Sequence, residues 1–204
     1  MTSPDRAAAA KTAVRARLLA GRRTRSEGER AKAATAVAAA LAAGLDGIAE
    51  GATVAGYVPD PIEPGHALLP TALSRVAGRL LLPVVPMTGA ELGWAEFTGE
   101  LAVGRFGLLE PVGPRLPPAA LADAVAVVVP ALAVGRNGAR LGRGGGYYDR
   151  ALRHAAAGAV LVAVVFDDEL LDDVPVEPHD RPMTAVVTPS RGWLPIDAAG
   201  SGPH

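Results

Sequence analysis

The chain has 204 residues, is 50% hydrophobic and 20% charged, and carries a formal net charge of −1. Its length and apolar content fit one α/β domain with a core that needs neither disulfides nor a structural metal. The lack of cysteine excludes a disulfide framework, a thiolate nucleophile and a zinc-thiolate site, and the near-neutral charge offers no broad attraction to nucleic acid or an acidic membrane.

The first predicted element is an amphipathic helix from about Asp5 to Gly21, with Val14, Leu18 and Leu19 at helical spacing and basic residues around them. Ser26 and Glu29 have the spacing of a capping box, so a second helix runs through the Ala-rich stretch to Leu41 and ends near Gly44. A helical hairpin is therefore expected to open the chain. From Ala52 the pattern changes to short aliphatic runs, Thr53 to Val58, Leu80 to Val85, Ala124 to Val129 and Val160 to Val165, each apolar on both faces as in a buried sheet. Helical segments near Leu69 to Ala77 and Tyr147 to Ala156 alternate with these strands. The alternation predicts an open, largely parallel α/β sheet with helices on both faces, and Trp94 to Phe97 reads as a hairpin at one edge. Residues 1–195 are expected to form one domain and 196–204, rich in Gly, Pro and Ser, a disordered tail.

No run reaches the ~18 apolar residues of a membrane span, and no apolar block precedes a cleavage site at the Arg-rich N-terminus. A cytoplasmic location is expected. Eighteen of the twenty basic residues are Arg in an Ala-, Gly- and Pro-rich chain, a composition suggestive of codon bias, so a lone Arg carries little information.

The most informative stretch is the buried strand Val125 to Pro130, a turn, and then Arg140-Leu-Gly-Arg-Gly-Gly-Gly-Tyr-Tyr-Asp-Arg150. In open α/β sheets ligands bind beyond the carboxyl ends of strands, where loops meet helices. Gly142, Gly144, Gly145 and Gly146 allow backbone N–H groups to approach phosphate oxygens. Arg140 and Arg143 add cationic forks, and Asp149 is placed to hold a divalent cation beside the phosphates. The loop matches neither a Walker A nor a dinucleotide-binding fingerprint, and a flexible loop whose Asp149 complements the helix dipole is the plain alternative.

That stretch closely resembles the signature of the 5-formyltetrahydrofolate cyclo-ligases, also called methenyltetrahydrofolate synthetases. The resemblance continues in order through Lys11 and Arg15, Tyr57 to Glu63, Leu82 to Val85, Gly104 to Pro111, Val129-Pro130, Pro175 and His179-Asp180. It implies ATP-driven conversion of 5-formyltetrahydrofolate to 5,10-methenyltetrahydrofolate, with ADP and phosphate released through a phosphorylated formyl (imidate phosphate) intermediate. It further implies that ATP is bound by Lys11, Arg15, Arg140, Leu141, Gly142, Arg143, Gly144, Gly145, Gly146, Tyr147 and Tyr148. Mg²⁺ is implied on Asp149, and the folate on Glu63, Arg143, Gly144, Gly145, Gly146 and Tyr147, with Glu63 as the acid that reads the pterin. Arg143, Tyr147 and Asp149 are the implied catalytic residues. The protein is expected to act as a monomer without nucleic-acid or membrane partners.

Lys11 and Arg15, four residues apart, share one helical face, although without the resemblance they would read as a solvated basic surface. Trp94 and Phe97 are candidates for a wall of the folate pocket or for ordinary core packing. Glu110-Pro111 is given no chemistry beyond shaping the site. His66, His154 and His179 lack metal-ligand partners at recognisable spacing. The chain departs from the family pattern at Val134-Gly135, where Phe-Asp is common, at Thr184, where an acid implicated in metal binding is common, and after Glu63, where the stretch is one residue short with His66 in place of a Thr-Arg or similar pair that bears on the folate tail. The first two departures motivate a rival reading, a catalytically impaired folate- or nucleotide-binding paralogue. A nucleic-acid-binding module is a second rival, motivated only by the basic first helix.

Overall fold

The computed structural model describes residues 3–174 and 181–196, with side chains described from residue 9 onward. Pro175, His179, Asp180 and the expected tail beyond Ile196 lie outside the described residues. In chain order the elements are α1 (Ser3–Thr24), α2 (Glu27–Gly44), β1 (Thr53–Ala55), α3 (Leu69–Ser74), β2 (Arg79–Val84), β3 (Gly93–Glu96), β4 (Leu101–Val103), β5 (Leu109–Pro111), β6 (Ala124–Pro130), β7 (Ala133–Gly135), β8 (Arg140–Leu141), α4 (Tyr147–Ala151), β9 (Val160–Val164), β10 (Leu170–Leu171), β11 (Ala185–Thr188) and β12 (Gly192–Pro195).

The central sheet has the order β12-β11-β9-β6-β1-β2-β3. Strands β2, β1, β6, β9 and β11 run parallel, whereas β3 and β12 close the two edges antiparallel. The expected parallel sheet and the Trp94 edge strand are both present. Alternation along the strands sends Val54, Leu80, Leu82, Ala126, Val128, Val162 and Val164 to one face, under Val37 and Leu41 of α2 and Leu69 and Leu73 of α3. Ala55, Leu81, Val127, Val129, Leu161 and Ala163 face the other side, against Ala151 of α4 and Leu121, Leu152 and Ala155. Burial on both faces is why these strands read as continuous aliphatic runs.

Ser26 caps α2 as its spacing predicted, its hydroxyl accepting from the Glu29 N–H at 3.2 Å while the Glu29 carboxylate accepts from the Ser26 N–H at 2.7 Å. The two opening helices are consecutive, but they bury against different surfaces. Helix α2 covers the central sheet. Leu18 of α1, with Val14 and Leu19, packs on Leu132, Ala133, Ala139, Leu141 and Val174 around the small sheet β10-β7-β8.

Arg22, near the end of α1, is 1% exposed. Its Nε and Nη2 donate to the two oxygens of Glu169 at 2.7 and 2.8 Å, and Nη2 also donates to the Ala131 carbonyl just beyond β6 at 2.6 Å. The same Glu169 carboxylate accepts from the Phe166 N–H at 2.8 Å. One residue turn along, Arg25 stacks 4.0 Å over the Phe166 ring and pairs with Asp168. The end of α1 is thus fastened to the segment after β9 and to the carboxyl end of β6.

Removing one member of a buried ion pair leaves an uncompensated charge and costs about 3–5 kcal/mol. Arg22→Met is therefore expected to destabilise the fold by about that amount in denaturant unfolding. In a double-mutant cycle with Glu169→Leu, the combined loss is expected to fall short of the sum by about 2 kcal/mol. Simple additivity would show that the two side chains do not support each other.

Candidate functional site

In the order β9-β6-β1-β2, the chain leaves β1 toward β2 on one side and enters β6 on the other, so the direction of winding reverses between β1 and β6. Such a reversal opens a crevice beyond the carboxyl ends of the two strands. A cavity of about 270 Å³ lies there. The segment after β1 supplies Tyr57, Val58, Asp60 and Glu63; the end of β6 and the following loop supply Pro130, Ala131, Arg140 and residues 142–149.

The glycine loop is shaped by left-handed backbone at Gly144 (φ 98°) and Gly146 (φ 67°), which other residues adopt only with strain. At Gly146 the backbone conformation calls for glycine, since the only group a Cβ would crowd is the movable Arg150 guanidinium. Helix α1 reaches the loop through Arg15, whose Nε donates to the Gly142 carbonyl at 2.9 Å. Lys11 is half-buried on α1, one turn before Arg15. Arg140 donates to the Pro130 carbonyl at 3.1 Å and pairs with Asp149. Leu141 differs from its neighbours, since its side chain is buried with Leu18 and Leu132 and anchors the root of the loop. Tyr147 and Tyr148 line the cavity, and Arg150 lies 5.3 Å from the centre of the Tyr147 ring.

Glu63 faces this loop across the crevice. Its side chain is buried, accepts from the Asp60 N–H at 3.0 Å, and has Arg143 Nη2 at 3.0 Å and Arg22 Nη1 at 3.7 Å. Arg143 also pairs with Asp60. Burial pushes the Glu63 carboxyl above its ordinary value, outweighing Arg143, the Asp60 N–H and Arg22, which act in the opposite sense. The phenols of Tyr57 and Tyr148 are likewise held protonated, chiefly by burial and then by the Glu63 charge.

Opposite the glycine loop, the β4–β5 hairpin brings Phe106, Leu108, Leu109 and Glu110 to the cavity. Phe106 is 73% exposed with φ 56°, a left-handed conformation that costs a non-glycine residue roughly 1–2 kcal/mol. The buried Glu110 accepts from the Val85 N–H at 2.9 Å, with Arg115 3.5 Å from its other oxygen. A Cβ on Gly104 would meet this carboxylate at 2.3 Å. Glu110 therefore shapes the wall, as expected from sequence. Trp94 and Phe97 do not line the cavity. Trp94 is fully buried in one core cluster and Phe97 packs beside the other. The aromatic rings at the cavity are Tyr57, Phe106, Tyr147 and Tyr148. Tyr57 and Phe106 lie inside recognised motifs, but no periodicity distinguished them from core residues.

Val134-Gly135 and Thr184, the departures that bear on the metal-site assignment, fall outside the cavity lining. Gly135 ends β7, where a Cβ would collide with Asn137 Oδ1 at 2.7 Å. Thr184 accepts from the Leu161 N–H at 2.9 Å and donates to the Leu161 carbonyl at 3.2 Å, at the entry of β9 and β11, the end of the sheet remote from the crevice. At position 184 the hydroxyl serves strand pairing. Among the described residues no group of three or more His, Asp or Glu is arranged to hold a metal ion. Mg²⁺ commonly takes one or two carboxylates and completes its shell with phosphate oxygens and water. Asp149, on the cavity wall beside the glycine loop, would fit that limited role. No helix among the described residues is long and apolar enough to cross a membrane.

A sequence model of the 5-formyltetrahydrofolate cyclo-ligase family matches residues 7–189. The 5-formyltetrahydrofolate cyclo-ligase of Mycolicibacterium smegmatis is 47% identical over 192 residues, covering 91% of this chain and 97% of the relative. The Escherichia coli K12 cyclo-ligase is 35% identical over 128 residues, 59% of this chain and 69% of the relative. The solved 5,10-methenyltetrahydrofolate synthetase of Aquifex aeolicus superposes with a TM-score of 0.70 at 29% identity, covering 95% of this chain and 96% of the other. A Mycoplasma pneumoniae synthetase shares the fold with a TM-score of 0.68 at 20% identity, covering 86% and 96%. Matching across almost the whole length, in sequence and in fold, this chain belongs to the 5-formyltetrahydrofolate cyclo-ligase family of folate one-carbon enzymes.

Proposed function

We propose that this enzyme uses ATP and Mg²⁺ to close 5-formyltetrahydrofolate to 5,10-methenyltetrahydrofolate, with the pterin at Glu63 and the triphosphate at the glycine loop. The observation that carries the reading is Arg143, which rises from the glycine loop and stands 3.0 Å from Glu63 across the crevice. Two half-sites with different chemistry therefore share one cavity. An ionised Glu63 accepts two N–H bonds from the pterin's amino and ring nitrogens. Backbone N–H groups of residues 142–146, with Arg15, Lys11 and Arg140, hold the phosphates.

In the proposed reaction the formyl oxygen attacks the γ-phosphorus and ADP leaves. N10 then attacks the activated formyl carbon and loses its proton, and phosphate departs, taking up that proton, as the ring closes. Neither step needs a protein nucleophile, so the chain contributes alignment and charge stabilisation. Arg143 lies between the reacting groups, Tyr147 borders them, and Asp149 would hold Mg²⁺ together with phosphate oxygens, where the ion would neutralise charge on the transferred group. Gly135 and Thr184, the departures that motivated an impaired paralogue, lie outside the cavity lining, which supports the active reading.

Methenyl product formation with ATP present, and none without it, is the direct test, and a chain that binds both substrates without turnover contradicts the reading. Glu63→Gln is expected to raise the folate KM at least ~10-fold with the ATP KM unchanged, the scale of a lost charged hydrogen bond. Because burial raises the native Glu63 carboxyl, folate affinity should weaken as pH falls through a value above the ordinary carboxylate range. That acid limb should vanish in Glu63→Gln; a shift in the ATP KM alone would reassign Glu63.

Asp149→Asn is expected to lower turnover at least ~100-fold, the scale of one strong electrostatic contact in a transition state. Raised Mg²⁺ should recover part of the loss if weakened metal binding is the cause. Full activity at ordinary Mg²⁺ would show that the ion is held by ATP and water without this carboxylate.

A further inference from the structure

Among the described residues, the backbone N–H groups of Arg143, Gly144, Gly145 and Gly146 donate to no protein acceptor. Carbonyls of the same loop, by contrast, are held by arginines. The Gly142 carbonyl accepts from Arg15 Nε at 2.9 Å, and the Gly145 carbonyl accepts from Arg150 Nη2 at 3.0 Å. A trans peptide is planar and sets its C=O and its N–H in opposite directions, and the described residues contain no cis peptide. Holding the carbonyl of one residue therefore aims the N–H of the next the other way.

The placement of Arg150 gives that aim a direction. Gly145 and Gly146 line the crevice cavity, whereas Arg150 and Ala90 do not. Arg150 Nε donates to the Ala90 carbonyl at 2.8 Å, in the connection between β2 and β3, so one guanidinium spans two segments from behind the glycine turn. Its planar fork serves both carbonyls at once, which a single ammonium cannot do with the same geometry. The Gly145 carbonyl is drawn to the outer side, and the Gly146 N–H faces the cavity. A peptide between two glycines has wide rotational freedom, so its direction is set only if a partner holds it.

We propose that Arg150 is a positioning residue for ATP, holding the Gly145 carbonyl away from the cavity so that the Gly146 N–H is presented to the phosphates before they bind. The assignment rests on the phosphate reading of the glycine loop. Ordering a glycine turn is entropically costly, and a turn ordered in advance removes that cost from the binding step. Arg150 itself touches no substrate in this arrangement and acts through the loop backbone.

The test compares the native enzyme with Arg150→Met, Arg150→Lys and Gly144→Val. Calorimetry gives the affinities for Mg²⁺-ATP and for 5-formyltetrahydrofolate, and methenyl formation gives turnover. Arg150→Met should raise the ATP Kd and KM at least ~10-fold, the scale of one hydrogen bond to a charged group. Folate affinity and turnover at saturating ATP should hold. Tm should hold as well, because both Arg150 bonds are solvent-exposed and such contacts add little stability. Arg150→Lys keeps the charge but cannot span the two carbonyls, so it should resemble Arg150→Met. Native ATP affinity in Arg150→Lys would show that charge alone acts, and overturns the proposal. Equal weakening of ATP and folate, or a fallen Tm, marks a general structural role and overturns it too. Native ATP affinity in Arg150→Met while Gly144→Val loses ATP overturns the Arg150 assignment alone. Normal ATP binding by folded Gly144→Val overturns the phosphate reading of the loop and this proposal with it.

Discussion

Everything at the crevice depends on one buried guanidinium. Arg22 joins α1 to Glu169 beyond β9 and to the Ala131 carbonyl at the end of β6, and it stands 3.7 Å from Glu63. A charge so deeply buried persists only when paired and hydrogen-bonded. Its partners come from three segments that meet only in the folded state. The pairing fixes where α1 lies, and through Arg15 it fixes how α1 meets the glycine loop.

The same guanidinium supports the polar floor of the site. Glu63 is flanked by Arg22 from below and Arg143 from the glycine loop, and burial still raises its carboxyl. Desolvation therefore outweighs the attraction of the two guanidiniums at this carboxylate. The exposed Phe106, with its left-handed backbone, and the left-handed glycine turn at Gly144 and Gly146 line one cavity. A costly backbone conformation at an exposed aromatic on a cavity rim is the kind of departure found at sites built for ligands rather than for stability.

Much of this arrangement was legible in the chain. The runs from Thr53, Leu80, Ala124 and Val160 became the central parallel strands because burial on both faces demands continuous aliphatic residues. The Ser26 capping box set the start of α2. Strands such as β7, β8 and β10 were not legible, being two or three residues long and stabilised by tertiary pairing. Arg22 could not be told from the other arginines of α1, since its burial depends on Glu169, which lies 147 residues away. Trp94 and Phe97 were plausible wall residues by type, but their strand register turned them into the core. Thr184 illustrates the same limit, because its hydroxyl was claimed by the Leu161 backbone and no spacing pattern carries that information.

The central claim is that two half-sites of different chemistry face each other across the β1–β6 crevice, the pterin on Glu63 and the triphosphate on residues 142–146. The most direct measurement is a crystal structure with 5-formyltetrahydrofolate and a non-hydrolysable ATP analogue bound together. The account predicts the pterin's amino and ring N–H groups on the Glu63 carboxylate, the phosphates against the Gly144–Gly146 backbone, and the formyl oxygen facing the γ-phosphorus beside Arg143. Phosphates bound away from the glycine loop, or a pterin turned away from Glu63, would contradict it.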